Sequence, residues 1–470
     1  MNIKEELQKK SQNTNGVIFD FSFNSKALNY KSLLKGFNKE VFDLFDLTYK
    51  HLDIDKGIKD LFHGEEINAS EKQSALHHLY RDIFSKNPNN FQSDALLQNC
   101  RNSIQDCIEL RNKLLERGIK NIVTIGIGGS FEGPKLLIET LTNSSARHFN
   151  HIFLTGPDHI EFNEAVEPLA QEETFFIVSS KSFSTDETLQ SLELAKGWIL
   201  QNCDFDNHFI AITSQPNKAK ALGFNNMIIF PNEIGGRYSI WSPISLPAIL
   251  ELGKDFVEFL KGGGEADNQL LYDNEYKDFM KTLSFSDLWY SNFMNRETRV
   301  LLTYSWKMRF FNDYAQQLEM ESIGKQPNKD SIFQKTGQIV FGGFGSTAQH
   351  SYSQLLHQGT SSVCADILTI EDYRIKNKLL FAQSQAQANL LANGNNTGLK
   401  DLEKVNSNVP TNLFTLKTLN PFNLGYLIAS WEHRAFVTSQ MLEINPFDQY
   451  GVRAGKFFTN KYLDDHDGGA

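Results

Sequence analysis

Apolar positions follow two different spacings along this chain. Up to about residue 95 they recur at helical intervals, most clearly over 32–56 and 71–84, with breaks at Gly57 and at the turn cluster Asn87-Pro88-Asn89-Asn90. From Ser103 onward, short continuous apolar runs alternate with longer amphipathic stretches. That pattern predicts a helix through Leu110, Leu114 and Leu115, then a strand over 121–125 and a helix over 134–141. Strands at 151–154 and 174–179, a helix at 187–200 and strands at 209–213 and 226–229 complete a βαβ series. Such a series implies a parallel sheet with ligands at the carboxyl ends of its strands.

Lys261-Gly262-Gly263-Gly264 predicts a connector to a second region in which the alternation repeats. Its expected elements are a helix at 287–294, a strand at 300–303, a helix at 310–326, a strand at 338–341 and a turn at 342–346. A helix at 349–357, a strand at 362–368 and helices at 376–392 and 423–441 follow, then the segment 445–456. The polar tail 462–470 predicts fraying. The organisation expected is therefore a helical arm (1–95), two α/β domains (96–260 and 261–440) and a C-terminal segment (441–470). Two parallel sheets in tandem are the mark of a gross duplication.

Composition narrows the function classes. At 470 residues the chain is long enough for two or three cores. A net charge of −10 with no basic block argues against general nucleic-acid binding, so an anionic ligand needs a local site. Cys100, Cys107, Cys203 and Cys364 show no CxxC and no zinc-ligand spacing, which points to reduced thiols in a cytoplasmic compartment. The first residues lack the apolar core of about 7–15 residues that a signal peptide needs, and no run approaches the roughly 18 apolar residues of a membrane span.

Chemistry concentrates in four stretches. After the 121–125 strand comes Gly126-Ile127-Gly128-Gly129-Ser130. A dinucleotide fingerprint would need glycine where Phe131 stands, so the turn reads either as a tight strand-to-helix turn that needs glycine and nothing more or as an oxyanion cradle at a helix start, to which Ser130 adds a hydroxyl. After the 174–179 strand comes Ser180-Lys181-Ser182-Phe183-Ser184-Thr185, a hydroxyl-dense turn with the composition of a phosphate cup; Ser184 and Glu187 also have capping-box spacing. Gly235-Gly236-Arg237-Tyr238-Ser239 combines close backbone approach with a cation. In Phe310 to Gln326, Gln317 and Glu321 stand i,i+4 on one helical face, with Gly324 expected as a left-handed stop just beyond them. His77 and His78, adjacent and therefore on different faces of a helix, are read as packing residues.

The motifs GIGGS, SSKSFSTDET, EIGGRYSIWSP, MESIGK, QHSYSQLLHQG and INPFDQYGVRAGK resemble, in order and spacing, the phosphoglucose isomerase family from about Ile67 to Lys456. The resemblance implies an α/β fold of two tandem sugar-isomerase-type (SIS) domains, each a parallel sheet flanked by helices. It also implies a cytoplasmic homodimer with shared active sites, no metal or cofactor, no membrane or nucleic-acid partner, and a place in glycolysis and gluconeogenesis. On this likeness Ser180, Ser182, Thr185 and the Lys181 backbone hold the substrate phosphate beside Gly129 and Ser130. Glu321 is the catalytic base, Gly236 and Arg237 flank the enediolate, and Gln317 and Gln449 contact sugar. His350 and Lys456 match the ring-opening pair, with His350 serving the neighbouring subunit. The chain departs from the family at Leu318-Glu319, Ile323, Arg453 and Gln73.

The residues support that chemistry in their own right. Moving a carbonyl between C1 and C2 of a sugar phosphate requires proton transfers at the ring oxygens, a base for the carbon-bound proton and a cation facing the enediolate. An isomerase preferring mannose 6-phosphate, or acting on both epimers, shares nearly every residue. A non-catalytic sugar-phosphate-binding regulator on the same fold would be expected to lack the base, the arginine or the ring-opening pair.

Overall fold

The computed structural model describes residues 2–14, 18–84, 94–199, 202–395, 400–406 and 408–467. The turn cluster at 87–90 lies outside them. Within the arm, the helix Ile3–Ser11 is followed by three strands, the last of them where helix was expected at 32–35: β1 (Ile18–Phe19), β2 (Ser22–Asn24) and β3 (Leu28–Lys35). In β3 Leu28, Tyr30, Ser32 and Leu34 are buried and the residues between them are not, a period of two that the sequence LNYKSLLK carries in its own alternation. Helices Lys39–His51 and Ile54–His63 follow.

Among the described residues, two sheets organise the rest. The first contains β4 (Asn121–Ile125), β5 (Asn150–Leu154), β6 (Thr174–Ser179), β7 (Phe209–Thr213) and β8 (Met227–Ile229) in the order β5-β4-β6-β7-β8, all parallel. Every residue of β4, β6 and β7 is buried, which explains why these strands read as continuous apolar runs. The second contains β9 (Thr298–Thr303), β10 (Ile339–Phe344), β11 (Val363–Ile370) and β12 (Thr411–Leu416) in the order β10-β9-β11-β12. These four are parallel, and β3 joins β12 antiparallel, carrying β1 and β2 at its edge. Both sheets thus place their first strand between the second and the third, so each has one point at which the strand order reverses. Ligands of open α/β sheets bind outside the carboxyl ends at such a point.

The expected connector at 261–264 is not a linker. Those glycines lie inside the helix Asp255–Tyr272, which packs against the buried helix Pro421–Met441. A Cβ on Gly262 would stand 1.9 Å from the Phe422 carbonyl oxygen, and one on Gly263 would stand 2.5 Å from Arg81 Cδ and 2.8 Å from the Trp241 ring. The glycines permit close helix packing, a demand that composition alone does not separate from flexibility. Gly342 and Gly343 likewise continue β10 where a turn was expected, because a Cβ on Gly342 would meet the Leu301 carbonyl oxygen at 1.9 Å. The tail is helical, Gly451–Asp467, and exposed as far as Asp465. No helix among the described residues is long and apolar enough to cross a membrane.

Candidate active site

The glycine turn after β4 and the hydroxyl turn after β6 meet at the reversal point of the first sheet. A Cβ on Gly126 would lie 3.1 Å from the Ser179 carbonyl oxygen and 2.7 Å from Ser130 Cβ. Gly128 has φ +59, the left-handed region that favours glycine, and its open Cβ position lies 2.9 Å from Gln317 Nε2. A Cβ on Gly129 would stand 1.9 Å from the Gly236 carbonyl oxygen, so the two backbones are in contact. Across the sheet, Phe183 at φ +46 turns the chain sharply, with its N–H donating to Ser180 Oγ at 3.1 Å. Helix Asp186–Ile199 then begins, and the Thr185 carbonyl accepts from the Leu189 N–H. The Ser184 hydroxyl bonds Ser182 Oγ at 3.0 Å, which departs from the capping box expected of it.

The second sheet supplies the carboxylate. Helix Phe311–Ile323 carries Glu321 in its last turn and ends at Gly324, whose φ of −78 is not the left-handed stop expected. Glycine is required there for a steric reason: a Cβ would sit 2.2 Å from the Met320 carbonyl oxygen. Glu321 Oε2 accepts from Arg237 Nη1 at 2.9 Å and Oε1 from Gln317 Nε2 at 3.2 Å. The carboxylate keeps 31% of its side-chain surface open, whereas Arg237 is buried and its donors converge on the site. Its Nη1 also reaches Gln449 Oε1 at 3.2 Å, its Nη2 the Pro446 and Asp448 carbonyls at 3.1 and 2.6 Å, and its Nε Ser322 Oγ at 3.1 Å. An arginine fixed in five directions is a rigid cation that needs no reorganisation to meet developing negative charge.

Several groups that sequence reasoning did not single out hold this arrangement. Tyr238 Oη bonds Ser322 Oγ at 2.8 Å, and Asp448 is tied by Lys325 Nζ at 2.9 Å and by Ser70 Oγ at 2.6 Å. Tyr238, Ser322, Lys325 and Asp448 all lie inside the recognised motifs, which were the available signal. The departures Gln73 and Arg453 meet at a single acid: Glu71 accepts from Gln73 Nε2 at 3.0 Å and from Arg453 Nη2 at 3.4 Å. These three line a polar cavity of about 430 Å³ with Ser70, Lys181 and Asn232. Burial lowers the pKa of Lys181, and the Arg237 charge adds to that while Glu71 and Glu233 oppose it. Leu318, Glu319 and Ile323, the departures beside the base, are buried, and Glu319 joins an ion network with Arg299.

The structure thus gathers Gly129, Ser130, Gly236, Arg237, Gln317, Glu321 and Gln449, with the 180–185 turn against the glycine turn. His350 and Lys456 are not brought to the cluster. His350 is exposed beyond the short helix Gly345–Gln349, in a separate cavity with Ser353 and His357, and Lys456 stands on the exposed C-terminal helix.

A profile of the phosphoglucose isomerase family matches residues 34–470 of this chain. The glucose-6-phosphate isomerase of Legionella pneumophila (strain Paris) is 32% identical over 454 residues, spanning 93% of this chain and 89% of its own. That of Shewanella sediminis is 35% identical over 465 residues, spanning 91% and 85%. Among solved structures, a glucose-6-phosphate isomerase from Chlamydia trachomatis has the same fold, with a TM-score of 0.90 at 23% identity over 99% of this chain and 96% of that one.

Proposed function

This chain belongs to the phosphoglucose isomerase family, and from that premise we propose that it interconverts glucose 6-phosphate and fructose 6-phosphate through an enediolate. The observation that carries the reading is the grip on Glu321, with Arg237 on one carboxylate oxygen and Gln317 on the other at the edge of the cleft. Glu321 removes the proton alpha to the carbonyl and returns it to the neighbouring carbon, and Arg237 faces the negative charge that builds between the two steps. The substrate phosphate is held by Ser180, Ser182, Thr185 and the Lys181 backbone, next to Gly129, Ser130 and the N-terminal amides of helix Asp186–Ile199. Gly236, Gln317 and Gln449 contact the sugar. The unit built on β4–β8 grips phosphate, and the unit built on β9–β12 supplies the base. The four unpaired cysteines fit a cytoplasmic enzyme.

The site is completed in a homodimer. His350 and Lys456, the groups assigned to ring opening, stand apart from Glu321 within one chain, and the C-terminal helix leaves Phe457, Phe458, Tyr462 and Leu463 more than half exposed. Such a surface fits burial against a second copy. A C2 pair would exchange equivalent elements, so His350 acts in the neighbouring site. Co-refolding Glu321→Ala with His350→Ala chains restores activity if His350 crosses over; mixed dimers without activity contradict it. For the reaction itself, a coupled assay against fructose, glucose and mannose 6-phosphates decides. Turnover of the fructose–glucose pair supports the assignment. Preference for the mannose ester, or binding without turnover, replaces it with the epimer or regulator reading.

A further inference from the structure

The reversal point of the first sheet is used by the reaction, whereas the stretch that follows β9, the first strand of the second sheet, borders a different cavity. Beyond the carboxyl end of β9 the chain runs through Trp306, Lys307 and Arg309, which line a recess of about 410 Å³ together with Glu139, Asn143, Ser144, Ser145 and Arg147. The wall opposite β9 is the end of the helix Glu132–Leu141, whose first turn follows the glycine turn of the candidate active site. The two helices run in opposite directions past each other: Gln317 faces Gly128, Phe310 faces Lys135 and Arg309 faces Glu139. The recess therefore sits where the far ends of the two site-bearing helices meet, away from Glu321.

Its charge is the reverse of the chain's. Three cations meet one carboxylate, in a protein of net charge −10. Glu139 is shared between Arg147, at 2.9 Å, and Arg309, so a single negative charge faces Arg147, Lys307 and Arg309. Lys307 Nζ is held by the Thr142 carbonyl, a neutral acceptor, and Arg147 Nε donates to Thr142 Oγ1 at 2.8 Å. The Lys307 ammonium has a lowered pKa, from burial first and then from Arg147 and Arg309, against Glu139. The rim adds the exposed hydroxyls of Ser144 and Ser145. Trp306 remains 58% exposed although Arg309 lies 4.3 Å over its ring and Phe344 meets it edge-on at 5.5 Å. It is a fixed aromatic platform beside a recess of net positive charge.

We propose that this recess is a second ligand site, taking a phosphorylated compound with a planar ring: the phosphates at Arg147, Lys307 and the two serines, the ring on Trp306. Guanidinium and ammonium groups with hydroxyls match phosphate oxygens, and stacking on an exposed indole adds affinity for any flat heterocycle.

The test is calorimetric titration of the full-length protein with ATP, and separately with tripolyphosphate, in saturating fructose 6-phosphate so that the reaction site is occupied. The expected result is ATP binding at least about tenfold tighter than tripolyphosphate, the factor that stacking on an aromatic ring supplies. Trp306→Ala removes that advantage and leaves tripolyphosphate binding unchanged. Ser144→Asp with Ser145→Asp, at exposed positions that leave the fold intact, weakens both by about tenfold or more through like-charge repulsion. Lys307→Ala does the same if it folds. The proposal is overturned if ATP does not bind in the presence of fructose 6-phosphate, if it binds no tighter than tripolyphosphate, or if the double serine variant binds as wild type does.

Discussion

Glu319 and Glu321 stand on one helix, and each accepts from an arginine, yet their surroundings have almost nothing in common. Glu319 is 2% exposed and faces the core, where it accepts from Arg299 and from Trp431 Nε1 at 2.7 Å. Arg299 and Arg434 also bind Asp287, and Arg434 binds Asp366 at 2.7 Å, so that cluster is closed on every side by fixed partners. Burial works against the Asp287 charge, but the two guanidinium groups overcome it and hold its carboxyl below the usual range. Glu321, on the other face, is held by one arginine and one amide and keeps an open flank. A carboxylate enclosed by partners anchors a helix. One held from two sides and open on the third can exchange a proton with a ligand. The helix does both, and the core face fixes where the cleft face points.

The largest effect expected from separating the two roles is on turnover. Glu321→Gln keeps the shape and loses the base, so kcat falls by about 100-fold to 10,000-fold, the range associated with general acid–base groups. Its unfolding midpoint in urea stays near that of wild type, because the glutamine carbonyl still accepts from Arg237 Nη1 and the other four acceptors around that guanidinium are unchanged. Glu319→Ala reverses the pattern. Arg299 keeps Asp287, but its Nη2 and Trp431 Nε1 lose their acceptor in the core, which costs roughly 1–3 kcal/mol per orphaned donor in urea denaturation, while the protein that remains folded turns over nearly as wild type does. A smaller effect is expected at the phosphate grip, since phosphate is remote from the reacting carbons. Ser182→Ala with Thr185→Ala raises the KM for fructose 6-phosphate by about tenfold and changes kcat much less. An unchanged KM would return that turn to a purely structural role.

The smallest effect concerns the same cleft-facing row two turns earlier, at Asp313. Its neighbour Glu132 has a carboxyl pKa pushed up to about 7, by burial first and by Asp313, with Lys135 opposing. That value lies above the ordinary 4.5, so between the two the native protein keeps a proton that the unfolded chain has released. The resulting stabilisation is complete below the lower value and is lost as pH rises through the upper one. Glu132→Gln flattens this dependence, and the melting temperature, compared at about pH 5 and about pH 8, checks it.

The split between the two faces also marks what the sequence could disclose. Gln317 and Glu321 were legible because i,i+4 spacing is local, and the strands of the first sheet because strands buried on both faces are unbroken apolar runs. Glu319 carries no local sign of its role: its partners Arg299 and Trp431 come from β9 and from the helix Pro421–Met441, and no spacing rule joins them. The glycines at 262–264 were misread for the same reason, since what they make room for is Phe422, Arg81 and Trp241, all distant in sequence. β3 has a local sign, the alternation of LNYKSLLK, but it runs within four residues into the helix Lys39–His51, and the two patterns merge into one apparently helical stretch.

The claim that Glu321 moves the proton is tested most directly by following carbon-bound hydrogen itself. Fructose 6-phosphate is incubated in D2O with wild type, Glu321→Gln and Glu319→Gln, and deuterium entering C1 and C2 is read by NMR against the amount of folded protein. The account predicts that wild type incorporates deuterium, that Glu319→Gln does so at a comparable rate per folded molecule, and that Glu321→Gln binds the sugar phosphate but incorporates none above background. Incorporation by Glu321→Gln at the wild-type rate would contradict it and assign the base to another group.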